Sequence, residues 1–222
     1  MKVELINCTD NPVQTIDRCA SICYDSDWKR SDGKIMKNCI KSGHLSVTEH
    51  TSFTFYIDGI SRACSHQLVR HRTGKYTQRS QRYIVEDDFG YIVPKSILKN
   101  SDVYSAFRST MNRINWFYCY ALRNGIKEED ARYVLPNACE TQLYVTFDFR
   151  NLMHFMNERL CTNAQWEIRE LARKMKEEVV KLYPELADYL VPKCQIHKDY
   201  PFCTENKCCG LSPKLKDVYN KG

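Results

Sequence analysis

Four arginines, one lysine and one histidine stand in the run Gln67-Leu68-Val69-Arg70-His71-Arg72-Thr73-Gly74-Lys75-Tyr76-Thr77-Gln78-Arg79-Ser80-Gln81-Arg82-Tyr83. Hydroxyls and amides separate the charges. Forked guanidinium donors beside short hydroxyl donors suit anionic, hydrogen-bonding ligands such as phosphates and nucleotides. The nearby acids, Glu86-Asp87-Asp88, are too few to neutralise the run. A solvated basic face is the plain alternative. The apolar lead-in, Gln67-Leu68-Val69, and the Ser80-Gln81-Arg82-Tyr83 end weigh against it. If Arg70-His71-Arg72 is extended, both arginines share one side and His71 takes the other.

Nucleophilic catalysis finds little support. Ser80 would need a base within hydrogen-bond reach, and its neighbours are arginines. His44, His50, His66, His71 and His154 show no i, i+4 zinc pairing. Cys194, Cys203, Cys208 and Cys209 cluster in the tail, but their spacing matches no common zinc pattern. No metal is assigned.

Two later segments also carry groups of interest. One is Ala131-Arg132-Tyr133-Val134-Leu135-Pro136. The other runs from Phe147-Asp148-Phe149-Arg150 through His154 to Arg159, then Ala164-Gln165-Trp166-Glu167-Ile168-Arg169. On a helix Arg150 and His154 lie at i and i+4, on one face. Arg159 falls before the next helix, from where it could project toward the same place.

The positioning elements follow from periodicity. Met1–Ile6 reads as a strand, and Pro12–Tyr24 and Lys34–Lys41 as helices. Thr51–Asp58 alternates as a strand with Phe53, Phe55 and Ile57 on one face, and Gly59 reads as a turn. Ile60 to Val69 or Arg70 reads as a helix and Gln81–Val85 as a strand. Tyr104–Leu122 carries an apolar helical stripe of Tyr104, Phe107, Met111, Ile114, Tyr118 and Ala121. Glu128–Val134 reads as a short helix and Thr141–Phe149 as a strand. Asn151–Leu160 and Asn163–Tyr183 read as helices. The order has no regular βαβ period, and no Gly-x-Gly-x-x-Gly or phosphate-loop motif occurs. The expectation is one α+β domain over residues 1–192, a mixed or antiparallel sheet flanked by helices. The polar, Cys-rich segment 193–222 is expected to be an irregular, mobile extension.

Composition narrows the function classes. A net charge of +6 fits small anionic ligands; a nucleic-acid binder is usually more basic. Twelve cysteines without a signal-like amino terminus suggest reduced thiols and a cytoplasmic location. No apolar run is long enough to span a bilayer.

Arg70-His71-Arg72, seven residues, then Ser80 resembles the signature of the flavin-dependent thymidylate synthases. The 131–136 segment, the Arg150/His154 pair and Arg159 followed by Ala164-Gln165-Trp166-Glu167-Ile168 resemble blocks found in that family in the same order. The likeness covers about residues 1–190. It implies methylation of dUMP to dTMP, with methylenetetrahydrofolate as carbon donor, FAD as cofactor and NADPH as reductant, in a homotetramer with sites shared between subunits. FAD contacts are implied for Ser46, Arg70, His71, Arg72, Gln78, Asp148, Phe149, Arg150 and His154. Those to dUMP are implied for Gln67, Leu68, Val69, Arg70, Gln78, Arg79, Ser80, Gln81, Arg82 and Arg132. Arg159 matches the arginine that polarises the uracil, so no enzyme nucleophile is needed. Five positions depart from the common pattern: Thr77-Gln78 for Asn-Glu, Asp148 for Asn, Asn163 for His and Cys23 for Ser.

Overall fold

The computed structural model describes residues 1–23 and 25–219. It is an α+β fold with one antiparallel four-stranded sheet. The strands are β1 (Lys2–Cys8), β2 (Ser52–Ser61), β3 (Lys75–Gln78) and β4 (Glu140–Asp148), in the order β1-β2-β4-β3. Thr54 and Thr146 share a hydroxyl hydrogen bond of 2.9 Å across β2 and β4, which marks the register. The helices are α1 (Pro12–Ser21), α2 (Lys34–Lys41), α3 (Arg62–Leu68), α4 (Lys95–Leu98), α5 (Ser101–Arg123), α6 (Glu128–Ala131), α7 (Phe149–Arg159), α8 (Trp166–Leu182) and α9 (Leu215–Tyr219). The chain gathers into two compact units. One holds residues 1–2, 57–70 and 76–144; the other holds 3–56, 71–75 and the chain from Val145 onward.

In the first unit, α5 is organised around its predicted stripe. Asn100 caps it by accepting from the Asp102 and Val103 amides at 3.2 and 3.1 Å. Met111 packs with Phe89 and Cys139, flanked by Phe107 and Ile114. About two turns beyond Met111, Tyr118 and Ala121 pack with Ala131 of α6. Val103, Trp116, Phe117 and Tyr120 of α5 remain exposed.

In the second unit, Phe53 and Phe55 of β2 and Val145 and Phe147 of β4 are fully buried. Phe147 stacks on Phe155 of α7, with ring centroids 5.5 Å apart. Each such ring contributes about 1.5–3 kcal/mol by leaving water. Asp17 of α1 is buried, and its carboxylate accepts from the Gly33 and Met36 amides at 2.8 and 2.7 Å. It thereby satisfies donors that the start of α2 cannot pair within its own helix.

Four expectations need correction. Gly59 is no turn: it lies inside β2 with φ +70, where a Cβ would meet the Met1 nitrogen at 3.1 Å, and the strand continues to Ser61. The strand expected at Gln81–Val85 is a turn, closed by the Ile84 amide on the Ser80 carbonyl at 3.2 Å. Strand pairing falls earlier, in β3, and directly after it the Arg79 amide donates to the Gln142 carbonyl at 3.0 Å. The first helix stops at Ser21, and Tyr24, its expected end, lies outside the described residues. The tail through Tyr219 is mostly irregular, as expected, but it is not detached from the core: Cys194, Cys203 and Ser212 are buried; residues 220–222 lie outside the description.

Candidate active site

The first unit builds an anion-facing segment. The Ser61 hydroxyl caps α3 by accepting from the Cys64 amide at 3.0 Å. From α3, Ser65 accepts the Gln78 amide at 2.9 Å, and Gln78 also donates to Thr141 at 3.2 Å. Gln78 therefore holds β3 against α3 and β4. The Arg79 guanidinium donates to Glu86 at 2.9 and 3.4 Å, and Glu86 is buried. This hydrogen bond raises Arg79 above its ordinary value, outweighing partial burial. Arg79, expected to contact nucleotide, is thus engaged by the fold itself. Arg82 Nε donates to Glu129 at 2.7 Å, and Arg132 Nε to the Glu129 carbonyl at 3.0 Å. Glu129 so brings together two arginines 50 positions apart in the chain. Ser80 accepts from the Arg82 amide at 3.2 Å.

The Leu68 side chain is wholly buried, and its carbonyl accepts the Tyr76 hydroxyl at 3.0 Å. Val69 and Arg70 are exposed and Gln67 is half-buried. Arg62 escaped the sequence reading altogether. It donates to the Arg79 carbonyl at 2.8 Å, and its buried Nε has no hydrogen-bond partner. Desolvation pulls Arg62 below its usual value. The available signal was a cation directly after the helix-capping Ser61, upstream of the basic run.

Cys139 is the thiol that Gln81 touches, at 3.5 Å. Burial pushes it up to about 11, so it stays protonated at neutral pH. Gln81 therefore contacts an inert thiol.

The second unit builds a separate cluster on α7. Asp148 caps this helix, accepting from the Asn151 amide at 2.8 Å and its side chain at 2.6 Å. Its charge thus meets backbone donors. Phe149, next in sequence, is fully buried against Phe53, with centroids 5.8 Å apart; like Leu68, it packs the core and has no side-chain surface for a ligand. Arg150 pairs with Glu49 of the 3-10 turn Leu45–His50, which also presents Ser46 to solvent. His154 is exposed one turn after Arg150.

His71 sits at the centre of that cluster. It is buried edge-on against Phe155, centroids 4.9 Å apart, and 5.9 Å from the His154 ring. Arg159 Nε donates to His71 Nε2 at 2.9 Å. Burial first, then the charges of Arg159 and His154, lower His71 to about 4. The imidazole is therefore neutral at neutral pH, and its Nε2 lone pair faces Arg159. Arg72 is exposed beside it. The triplet is not extended: the segment is a turn, closed by the Gly74 amide on the His71 carbonyl at 3.0 Å, with His71 buried and Arg72 exposed.

A family model described as "Thymidylate synthase complementing protein" matches residues 4–185. A "Flavin-dependent thymidylate synthase" from Pyrococcus furiosus is 42% identical over 194 residues, covering 82% of this chain and 80% of its own. Enzymes of the same name from Clostridium tetani and Geobacter sulfurreducens are each 39% identical and cover 99% and 100% of this chain, and 97% and 99% of their own. A crystal structure of the UMP/dUMP methylase PolB from Streptomyces cacaoi, bound with 5-Br dUMP, shares the fold at a TM-score of 0.72. It is 24% identical, over 85% of this chain and 93% of that one. The extent of these matches shows that the chain belongs to the flavin-dependent thymidylate synthase family.

Proposed function

We propose that this chain methylates C5 of dUMP to give dTMP, taking the carbon from methylenetetrahydrofolate and the reducing electrons from NADPH. It is a flavin-dependent methyltransferase with FAD as its cofactor. When bound, FAD supplies the hydride that reduces the transferred carbon to a methyl group.

The residues of the second unit fit such a group. Arg72 and His154 offer exposed donors beside the buried His71, and Arg150 and Ser46 lie on the neighbouring face. A cofactor that carries a diphosphate suits that set. In the first unit, Ser80, Gln81 and Arg82 supply short and forked donors for the nucleotide phosphate, with Arg132 beside them through Glu129. Asp148 and Phe149 contribute by starting α7 and fixing its direction.

Arg159 carries the chemistry. Its guanidinium meets the uracil ring, stabilises the charge that develops as the N3 proton leaves, and so raises electron density at C5. No enzyme nucleophile takes part, in keeping with the protonated Cys139 and the base-less Ser80. The single observation behind this role is the Arg159–His71 hydrogen bond. It fixes the Nε edge of the guanidinium on a neutral acceptor and leaves the charge free to act on a ligand.

The active enzyme is a homotetramer with sites completed between subunits, so the phosphate-binding segment and Arg159 need not come from one copy. The exposed Trp116, Phe117 and Tyr120 on α5 support subunit association; Trp116 and Phe117 line a groove of about 820 Å³ together with Arg108 and Arg113. Among the described residues no helix is long and apolar enough to cross a membrane, in keeping with a cytoplasmic enzyme.

The deciding experiment measures dUMP-dependent dTMP formation with and without FAD. Arg159→Ala is expected to abolish it while FAD stays bound and reducible. Survival of methylation in that variant would remove Arg159 from the role.

A further inference from the structure

The family model matches residues 4–185 and does not extend over the Cys-rich segment beyond them. Yet its described part is built. The Ser212 hydroxyl donates to the Cys194 carbonyl at 3.3 Å, the Cys208 thiol to the Ser212 carbonyl at 3.2 Å, and the Cys203 amide to Pro213 at 2.7 Å. Cys194, Cys203 and Ser212 are all buried.

From this base the segment reaches the turn between α7 and α8, which begins directly after Arg159. Asn163 in that turn donates from its side-chain nitrogen to Glu205 at 3.0 Å and to the Lys207 carbonyl at 3.1 Å. Glu205 is also paired with Lys193. Together these donors hold the Glu205 carboxyl below its ordinary value. In the same turn the Thr162 carbonyl accepts from Arg169 of α8 at 2.7 Å. The turn is thus held from α8 on one side and from the tail on the other.

Surface ties of this kind are individually weak, about 1 kcal/mol or less. Here they act together. Glu205 accepts from two donors at once, and the tail that presents it is already ordered by its buried residues. Little conformational entropy is therefore lost in making each tie.

We propose that the carboxy-terminal segment is a clasp on the turn after Arg159, with Glu205 as its positioning residue, and that it sets where the Arg159 guanidinium points. The clasp rests on the role given to Arg159 above. His71 holds the Nε edge of that side chain; the clasp holds the backbone from which the side chain extends. A misplacement of about 1 Å can lower a rate on the order of a hundredfold, so a loosened turn is read as lost turnover before it is read as lost folding.

The test uses the full chain carrying Glu205→Ala, Glu205→Gln or Arg159→Ala. Asp188→Asn, which disrupts the surface pair with Lys198, is the control. Five quantities are read: kcat, KM for dUMP, bound FAD by absorbance, the melting temperature, and hydrogen exchange of the 160–165 amides. Glu205→Ala is expected to lower kcat about tenfold and speed exchange in the turn, with FAD content and melting temperature kept. Glu205→Gln is expected to recover part of kcat, because its amide oxygen still accepts from Asn163. Asp188→Asn is expected to behave as the parent.

Unchanged exchange in Glu205→Ala, or faster exchange with kcat held within roughly twofold, overturns the clasp. If Glu205→Ala fails to fold, Asn163→Ala removes the same tie from the other side and is judged by the same readings. An active Arg159→Ala defeats the underlying role of Arg159 whatever Glu205 does. An inactive Arg159→Ala beside a fully active Glu205→Ala defeats the clasp alone.

Discussion

Replacing His71 by leucine removes the acceptor for Arg159 Nε while keeping apolar bulk against Phe155. In the parent, the 2.9 Å bond joins a charged donor to a neutral acceptor inside a half-buried cluster. Hydrogen bonds to charged groups are worth about 1.5–3 kcal/mol. If that energy is expressed in the transition state, at about 1.4 kcal/mol per tenfold, kcat falls roughly 10- to 150-fold. His71→Gln separates chemistry from shape, because its side-chain oxygen can accept from Arg159 while its ring contacts are lost. The assay is steady-state dTMP formation at saturating FAD, with bound flavin measured by absorbance in every variant. The expected order is parent, then Gln, then Leu, with flavin content preserved. If leucine leaves kcat within about twofold of the parent, or Gln proves as poor as Leu with flavin intact, the acceptor role of His71 is wrong.

His71 also predicts a pH effect. Its value falls from 6.5 to about 4 on folding, so the unfolded chain binds a proton that the native chain resists. The stability this gives is fully present above about 6.5 and is lost as pH falls toward 4; urea unfolding at stepped pH should show that slope, flattened in His71→Gln. Arg79→Ala leaves the buried Glu86 uncompensated and should destabilise the protein by about 2–3 kcal/mol, less than a fully buried pair because Arg79 is partly exposed. The loss is expected in chemical denaturation more than in KM for dUMP. Asp148→Ala should cost about 1 kcal/mol through the lost α7 cap, again measured by denaturation. Cys139→Ala should keep dTMP formation, and the parent Cys139 should resist iodoacetamide at neutral pH; a dead alanine variant that folds and binds FAD would restore the case for a nucleophile.

Much of the scaffold was legible because its signals are local. Alternation in Phe53, Phe55 and Ile57 marks a strand whatever surrounds it, and all three are fully buried. The α5 stripe and the bounds of α2 follow from periodicity and from Gly43 behind the helix. The strand at Gln81–Val85 failed for a non-local reason: Tyr83-Ile84-Val85 has strand-like side chains, but the ladder to β4 is already complete at Arg79. The same divide runs through the candidate site. Arg150 and His154 share a helix face by spacing alone, whereas the Arg159–His71 contact joins residues 88 apart and Arg82–Glu129 joins residues 47 apart. Such partners become visible only when the backbone is folded. Arg62 was missed because it opens an apolar-looking helix outside the basic run, and the burial of the Leu68 and Phe149 side chains was not legible because a motif does not state which way a side chain faces.

The chain has three tryptophans, and Trp116 is 64% exposed, stacked on Tyr120 at 5.3 Å. That gives the exposed face of α5 an optical signal of its own. A ring passing from water into an apolar contact shifts its emission to the blue, so the fluorescence of Trp116 would report the subunit association proposed above without any label. Trp116→Phe would keep the aromatic surface and silence that signal, which makes it the matched dark partner for mixing experiments.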